Sequence, residues 1–125
     1  MDPYAQYKSV AIKYVNKTQQ VVLIFDEVIK KLYQAKKSAQ ENDIEEKYKS
    51  LRKAADIFDI VRAGIDVEDG NETMRYFDRF LFSASMEMEK LNIEEDIIED
   101  TQKLIDAVRG VRDAIVVAAE AEGII

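Results

Sequence analysis

Clusters of carboxylates are the side chains of this chain that could most readily perform chemistry. A helical bundle can hold a pair of iron ions when inward-facing acids are joined by Glu-x-x-His motifs on two helices. The chain has 25 acidic residues and no histidine, so that ligand set is incomplete. The acids at Asp26-Glu27, at Glu45-Glu46 and from Glu94 to Asp96 are therefore predicted to form solvated faces, caps and turns.

Two further groups point only weakly to chemistry. The segment from Asp66 to Gly70 resembles part of a calcium loop, but it lacks the twelve-residue ligand spacing that ends in a bidentate Glu. Ser83 and Ser85 have no histidine to act as a base, since the chain has none. We expect no enzyme activity, no metal and no cofactor. A carboxylate-metal enzyme is kept as the third hypothesis, which bound metal in elemental analysis would support.

The charge distribution bears on the possible partners. The chain of 125 residues has 18 basic residues and a net charge of −7. Its Lys and Arg are scattered rather than clustered, so neither nucleic acid nor an anionic membrane is an expected partner. The longest apolar run, Ala114 to Ala119, is far below the ~20 residues of a membrane span. The absence of cysteine and of a secretory signal at Met1-Asp2-Pro3 favours the cytoplasm.

Apolar residues recur at alternating spacings of three and four along most of the chain. One proline and four glycines among 125 residues leave few helix breakers. We therefore predict an all-α fold for the single domain 1–125: an antiparallel up-down four-helix bundle with a short additional N-terminal helix. The four stripes run over Val21–Ala39, Ile44–Ile65, Met74–Leu91 and Ile97–Ala118.

Helix boundaries follow from cap and breaker residues. Asp2 and Pro3 are predicted to start the short N-terminal helix, which would reach about Tyr14 and must dock on the bundle to persist. Asp43 with Glu46 is typical of a capping box that opens a later helix. The last helix is predicted to start near Ile93 and to end at Gly123, and Gly110 inside it is predicted to mark a close helix approach. Asn16 and Thr18 are the cap residues expected before the helix that carries the first stripe.

More apolar residues are present than four stripes require. The surplus residues are Val22, Ile24, Ile29, Tyr33, Ile57, Ile60, Val61, Tyr76, Phe80 and Phe82. Two interpretations stay open. The surplus residues could thicken the core beneath the N-terminal helix, or they could line a hydrophobic groove that receives a helix or an extended segment of a partner protein.

The order of short motifs resembles that of the flagellar secretion chaperones, which bind flagellin before export. The family opens with Asn-Pro-Tyr-x-x-Tyr, and this chain has Asp2-Pro3-Tyr4-Ala5-Gln6-Tyr7. A Leu-Tyr-Asp motif in the family is similar to Ile24-Phe25-Asp26, which Leu32 and Ala35 follow at the expected spacing. The family's Leu-Asp with a glycine shortly after it resembles Ile65-Asp66 and Gly70.

Three later motifs extend the resemblance to about Ala114. The segment from Tyr76 to Phe80 is similar to a Leu-Tyr-x-Tyr motif. The segment from Leu91 to Asp96 resembles Ala-Asn-x-x-x-Asp, and Val111-Arg112 resembles the final Leu-Arg. The chain departs from the family at Asn16–Gln20, which replace a Ser/Thr-Pro-Glu cap, and in lacking the tryptophan that usually follows Leu-Arg.

The resemblance implies a cytoplasmic export chaperone. Such a protein binds the C-terminal segment of flagellin in hydrophobic grooves, prevents premature polymerisation and delivers the subunit for secretion. Components of the flagellar export apparatus are further possible partners. On this hypothesis Tyr4 and Tyr7 cap the groove or contact flagellin, and the groove candidates are Val21, Ile24, Phe25, Val28, Ile57, Val61, Phe77 and Phe80. The alternative is a helical adaptor or self-associating structural bundle with a different protein client.

Overall fold

The computed structural model of the protein describes the backbone of residues 3–65 and 72–123, and side chains in these ranges from residue 18 onward. Four helices account for nearly all of it: α1 Pro3–Gln40, α2 Ile44–Ala63, α3 Glu72–Ile93 and α4 Ile98–Ala121. The described ranges contain no strand, which confirms the all-helical prediction. Of the helices described, none combines the length and the apolar character needed to cross a membrane.

Helices α2 and α3 lie side by side in opposite directions. Arg62 Nε, near the end of α2, donates to Asp78 Oδ1 near the start of α3 at 2.9 Å. Ten residues earlier on α2, Arg52 forms an ion pair with Glu89, further along α3, at 3.8 Å. The residue numbers fall along one helix as they rise along the other, so the pair is antiparallel.

Helices α1 and α4 form a second antiparallel pair. Arg112 Nε donates to Asp26 Oδ1 at 2.9 Å, and Lys36 Nζ donates to Gln102 Oε1 at 2.8 Å. A turn of only three residues, 41–43, joins α1 to α2, which places these two helices next to each other as well. The packing is compatible with the predicted up-down helical bundle.

The predicted N-cap of α2 is confirmed, but the capping box is only half formed, because the Asp43 backbone N–H donates to the Ser38 carbonyl oxygen rather than to the Glu46 side chain. The Asp43 side chain caps α2 by accepting a hydrogen bond from the Glu46 backbone N–H at 3.1 Å. Asn42 before it adopts a left-handed φ of 58°, which Asn tolerates better than most residues. Helix α4 begins at Ile98, later than predicted, because α3 continues to Ile93 and the chain turns before the buried Ile97.

The separate N-terminal helix is not shown. Helix α1 runs without interruption over 38 residues from Pro3, and the predicted caps Asn16 and Thr18 lie inside it. No glycine or proline occurs between Tyr4 and Gln40, so nothing in this stretch forces the helix to end. The side chains of Tyr4 and Tyr7 lie outside the described residues.

The core fills the space between the four helices. Its largest fully buried side chains include Phe25, Leu32, Phe58, Leu81, Met88 and Ile105. The predicted stripes are correct along the middle of each helix but wrong at four positions: Ile44, Tyr48, Met74 and Ala118 are exposed. Ile44 and Tyr48 lie in the first two turns of α2, on the side that the other helices leave exposed.

Gly110 faces open space rather than another helix. A Cβ atom built on Gly110 would have no atom of another helix within 4 Å, so the predicted close approach is wrong. Gly110→Ala should therefore raise the free energy of unfolding by about 1 kcal/mol, since glycine inside a helix loses more backbone entropy on folding than alanine does. Urea denaturation followed by circular dichroism measures this. Ala107→Gly, at an exposed position of the same helix, should lower the free energy by a similar amount, and destabilisation by Gly110→Ala would contradict the prediction.

Candidate functional site

The two ends of the bundle differ in how well their core is covered. Eight apolar side chains pack against the core but remain partly exposed at the end where α2 finishes and α3 starts. We call this group the open end: Val21, Ile57, Val61, Ile65, Phe77, Phe80, Val111 and Ile115. At the opposite end the corresponding core residues, such as Leu51, Leu91 and Ile97, have no exposed surface.

Four phenylalanines form the interior of the open end. The Phe25 ring lies 5.2 Å from Phe58, 5.9 Å from Phe77 and 6.4 Å from Phe80, measured between ring centroids. These are contact distances for aromatic pairs. Phe25 and Phe58 are fully buried, whereas Phe77 and Phe80 are partly exposed. The cluster therefore connects the deepest part of the core to the protein surface.

The structure brings most of the predicted groove residues together. Val21, Ile57, Val61, Phe77 and Phe80 belong to the open end, and Ile24 is partly exposed beside it. Phe25 and Val28 have no exposed surface. These two residues lie beneath the surface, where they support the partly exposed side chains that a partner could reach.

Other surface residues near the open end complete the candidate site. Leu23 is 65% exposed and Ile60 is 73% exposed, and they adjoin Ile24 and Val61 in the chain. Sequence reasoning missed Leu23, which fits neither a stripe nor a motif. The spacing in α4 places Val111 and Ile115 only in its core stripe, because periodicity does not reveal how far a neighbouring helix covers a stripe.

Helices α3 and α4 form the loosest edge of the bundle. They contact each other far less than the other neighbouring pairs do, and the described interhelical polar contacts join α1 to α4 or α2 to α3. On α4, the exposed residues Ala107, Ala114 and Ala118 lie at helical spacing from Val111 and share its face of the helix. Small apolar side chains thus extend the apolar face of α4 that carries Val111.

Ion pairs border the apolar surface on two sides. The Arg62 guanidinium bonds to Asp78 and also lies 4.5 Å from the centroid of the Phe82 ring. The hydrogen bond to Asp26 raises the pKa of Arg112, so this guanidinium stays charged at any physiological pH. The arrangement is an apolar surface with a charged rim, as in many protein interfaces.

Metal chemistry has no support from the described side chains. In residues 18–65 and 72–123, no three carboxylates are grouped so that they could hold a metal ion. The acidic segment Asp66 to Gly70, which resembles a calcium loop, lies outside the described residues.

Comparison with known proteins bears directly on the apolar site. Individually curated proteins give no match to the chain. The sequence model of the family described as flagellar protein FliS matches residues 1–121, nearly all of the 125 residues. This match confirms the resemblance inferred from the order of motifs, and the chain belongs to the flagellar protein FliS family.

Proposed function

We propose that this protein is a cytoplasmic export chaperone that binds the C-terminal segment of flagellin at the open end. The observation that carries the proposal is the group of eight apolar side chains from all four helices that pack on the core yet stay partly exposed. Membership of the flagellar protein FliS family supports flagellin as the client, meaning the protein that the chaperone binds.

The physical logic is folding on binding. A client segment that is disordered alone loses conformational entropy when it becomes ordered, so the chaperone must offer a large apolar surface to offset that loss. The open end offers aromatic rings at its centre and aliphatic residues around them. Residues such as Leu23 and Ile60 enlarge this surface at little cost to the stability of the free protein, because they are exposed.

Covering the client segment explains how the chaperone prevents premature polymerisation of flagellin. A bound C-terminal segment cannot contact other flagellin subunits, so the complex stays soluble until it is delivered to the export apparatus. In this proposal Tyr4 and Tyr7 either cover the open end in the free protein or contact the client directly. Tyrosine suits both roles because its ring is apolar and its hydroxyl group tolerates water.

Isothermal titration calorimetry with a peptide from the C-terminal segment of the cognate flagellin tests the proposal. We expect saturable binding with one peptide per chain. Absence of binding at tens of micromolar peptide would exclude the proposed client. Light scattering of the free protein should at the same time give the mass of a monomer at all concentrations, whereas a concentration-dependent oligomer would favour the self-associating bundle.

Two isoleucines on α2 provide a matched pair of variants. Ile60, beside the open end, is 73% exposed, and Ile44, at the opposite end, is 75% exposed. Ile60→Ser should weaken flagellin peptide binding at least about tenfold through loss of buried apolar area, whereas Ile44→Ser should change it less than about twofold. Calorimetry measures both affinities. Equal effects of the two variants would show that the client does not bind at the open end.

A further inference from the structure

A pocket lies at the end of the bundle opposite the open end. It has a volume of about 380 Å³ and is bounded by the α1–α2 turn and the α3–α4 connection. We call it the turn pocket. The residues that matter for its chemistry are Asn42, Ile44, Lys47, Asn92, Ile93 and Glu95. Since α2 is 20 residues long, about 30 Å separates this pocket from the open end.

The turn pocket has an apolar rim that the core does not explain. Ile93 is 86% exposed and Ile44 is 75% exposed, and they are the two most exposed of the large apolar side chains described. Their positions at helix termini would accept a polar residue without loss of packing. Two such isoleucines beside one pocket are typical of a surface that becomes covered when a partner binds.

The segments that border the turn pocket are acidic. Residues 41–47 and 92–96 contain seven carboxylates and one lysine. The lysine, Lys47, is buried, and its Nζ donates to the Glu94 carbonyl oxygen at 2.7 Å. Glu94 and Glu45 also pair with Lys90 and Lys49, but the surface around the pocket remains strongly acidic.

A buried acceptor in the pocket wall lacks a hydrogen-bond donor. Asn92 Nδ2 donates to the Tyr48 carbonyl oxygen at 3.4 Å, whereas Asn92 Oδ1 is buried with no hydrogen-bond partner among the described residues. An unsatisfied buried acceptor costs about 1–3 kcal/mol. A partner that uncovers Asn92 Oδ1 on binding and donates a hydrogen bond to it would recover that free energy.

We propose that the turn pocket is a second protein-binding site, which receives an arginine or lysine side chain from a basic segment of a partner protein. The cationic head group of such a residue is complementary to the acidic rim and can donate to Asn92 Oδ1 once it displaces the atoms that cover this oxygen. Its methylene stem, and an apolar neighbour in the same segment, cover Ile44 and Ile93. The site is independent of the client and serves a different partner.

A short blocked peptide of alternating leucine and arginine is a suitable probe. Titrated into the isotopically labelled protein, it should shift the NMR signals of the Ile44 and Ile93 methyl groups and of the Asn92 side-chain amide. A peptide with citrulline in place of arginine keeps the shape and loses the charge, so it should bind at least about fivefold more weakly. Shifts spread over the whole acidic surface would overturn the proposal.

Paired variants separate a specific pocket from general charge attraction. Glu94→Gln/Glu95→Gln should weaken the leucine–arginine peptide at least about fivefold. Glu120→Gln/Glu122→Gln, at exposed positions near the end of α4, removes the same charge and should change the affinity less than about twofold. Equal losses in the two variants would mean that only net charge matters and would refute the turn pocket.

With the leucine–arginine peptide, the variants of Ile44 and Ile60 should show the reverse of their effects on the affinity for the flagellin peptide. Ile44→Ser should weaken the leucine–arginine peptide and leave the flagellin peptide unaffected, whereas Ile60→Ser should do the opposite. If one of the two peptides does not bind as expected, the result for the other peptide still stands. The turn pocket and the proposed chaperone function are therefore tested separately. An unchanged affinity of Ile44→Ser for the leucine–arginine peptide would contradict the turn pocket alone.

Discussion

Replacing Phe25 by alanine should lower the free energy of unfolding by about 3–5 kcal/mol, the range for a large aromatic side chain lost from a core. Phe25 has no exposed surface and contacts the rings of Phe58, Phe77 and Phe80. The cavity would lie where the core is least covered, and three rings would lose a neighbour at once. Urea denaturation monitored by circular dichroism measures the change.

Leu23→Ala is the matched control on the same helix. Leu23 is two residues away and 65% exposed, so its truncation should change the free energy of unfolding by less than about 0.5 kcal/mol. The two variants distinguish the two roles of apolar residues in α1: Phe25 stabilises the fold, whereas Leu23 adds to the exposed apolar surface. A loss below about 1 kcal/mol for Phe25→Ala would show that the aromatic cluster does not stabilise the fold.

Phe80→Ala should produce the largest loss of flagellin binding, at least about 30-fold, as expected for an aromatic side chain at the centre of an interface. The Phe80 ring is partly exposed and lies 6.4 Å from both Phe25 and Phe58, so a client side chain can stack on a ring that the core already holds in place. Calorimetry with the flagellin peptide measures the affinity.

Phe82→Ala tests the specificity of that effect. Phe82 lies on the same helix and is exposed, but its ring contacts Arg62 rather than the aromatic cluster. Its removal should weaken peptide binding by less than about threefold. Both variants should first be shown to be folded by circular dichroism at the temperature of the titration. Equal losses for the two phenylalanines would place the client elsewhere on α3.

The sequence predicts the helices well because local chemistry sets their ends. Asp43 caps α2 through the Glu46 backbone N–H, and Gly123, with a φ of 72°, follows the last turn of α4. The continuous α1 was not predicted, since cap residues such as Asn16 permit a helix to start but do not stop one already formed. Whether the chain turns at Asn16 depends on tertiary packing, and the spacing of apolar residues gives no information about that packing.

The candidate site could be predicted only in part for a related reason. Ile57, Val61 and Phe80 were identified as surplus to one stripe, and all three are partly exposed at the open end. Phe25 and Val28 are groove candidates that belong to the first stripe, and they are fully buried because they face the axis of the bundle. Conversely, Lys47 is buried where Ile44 is exposed, since the geometry of a turn decides which side chain the neighbouring segment covers.

The loose contact between α3 and α4 has a mechanical consequence. The polar contacts form two seams, one along α1 and α4 and one along α2 and α3, and the packing of α1 against α2 joins the two halves. The α3–α4 edge therefore has few contacts to lose if these two helices move apart, and both seams lie elsewhere. On the proposed function, a client helix bound along this edge displaces water and apolar contacts but leaves both seams intact, so its exchange does not require the protein to unfold.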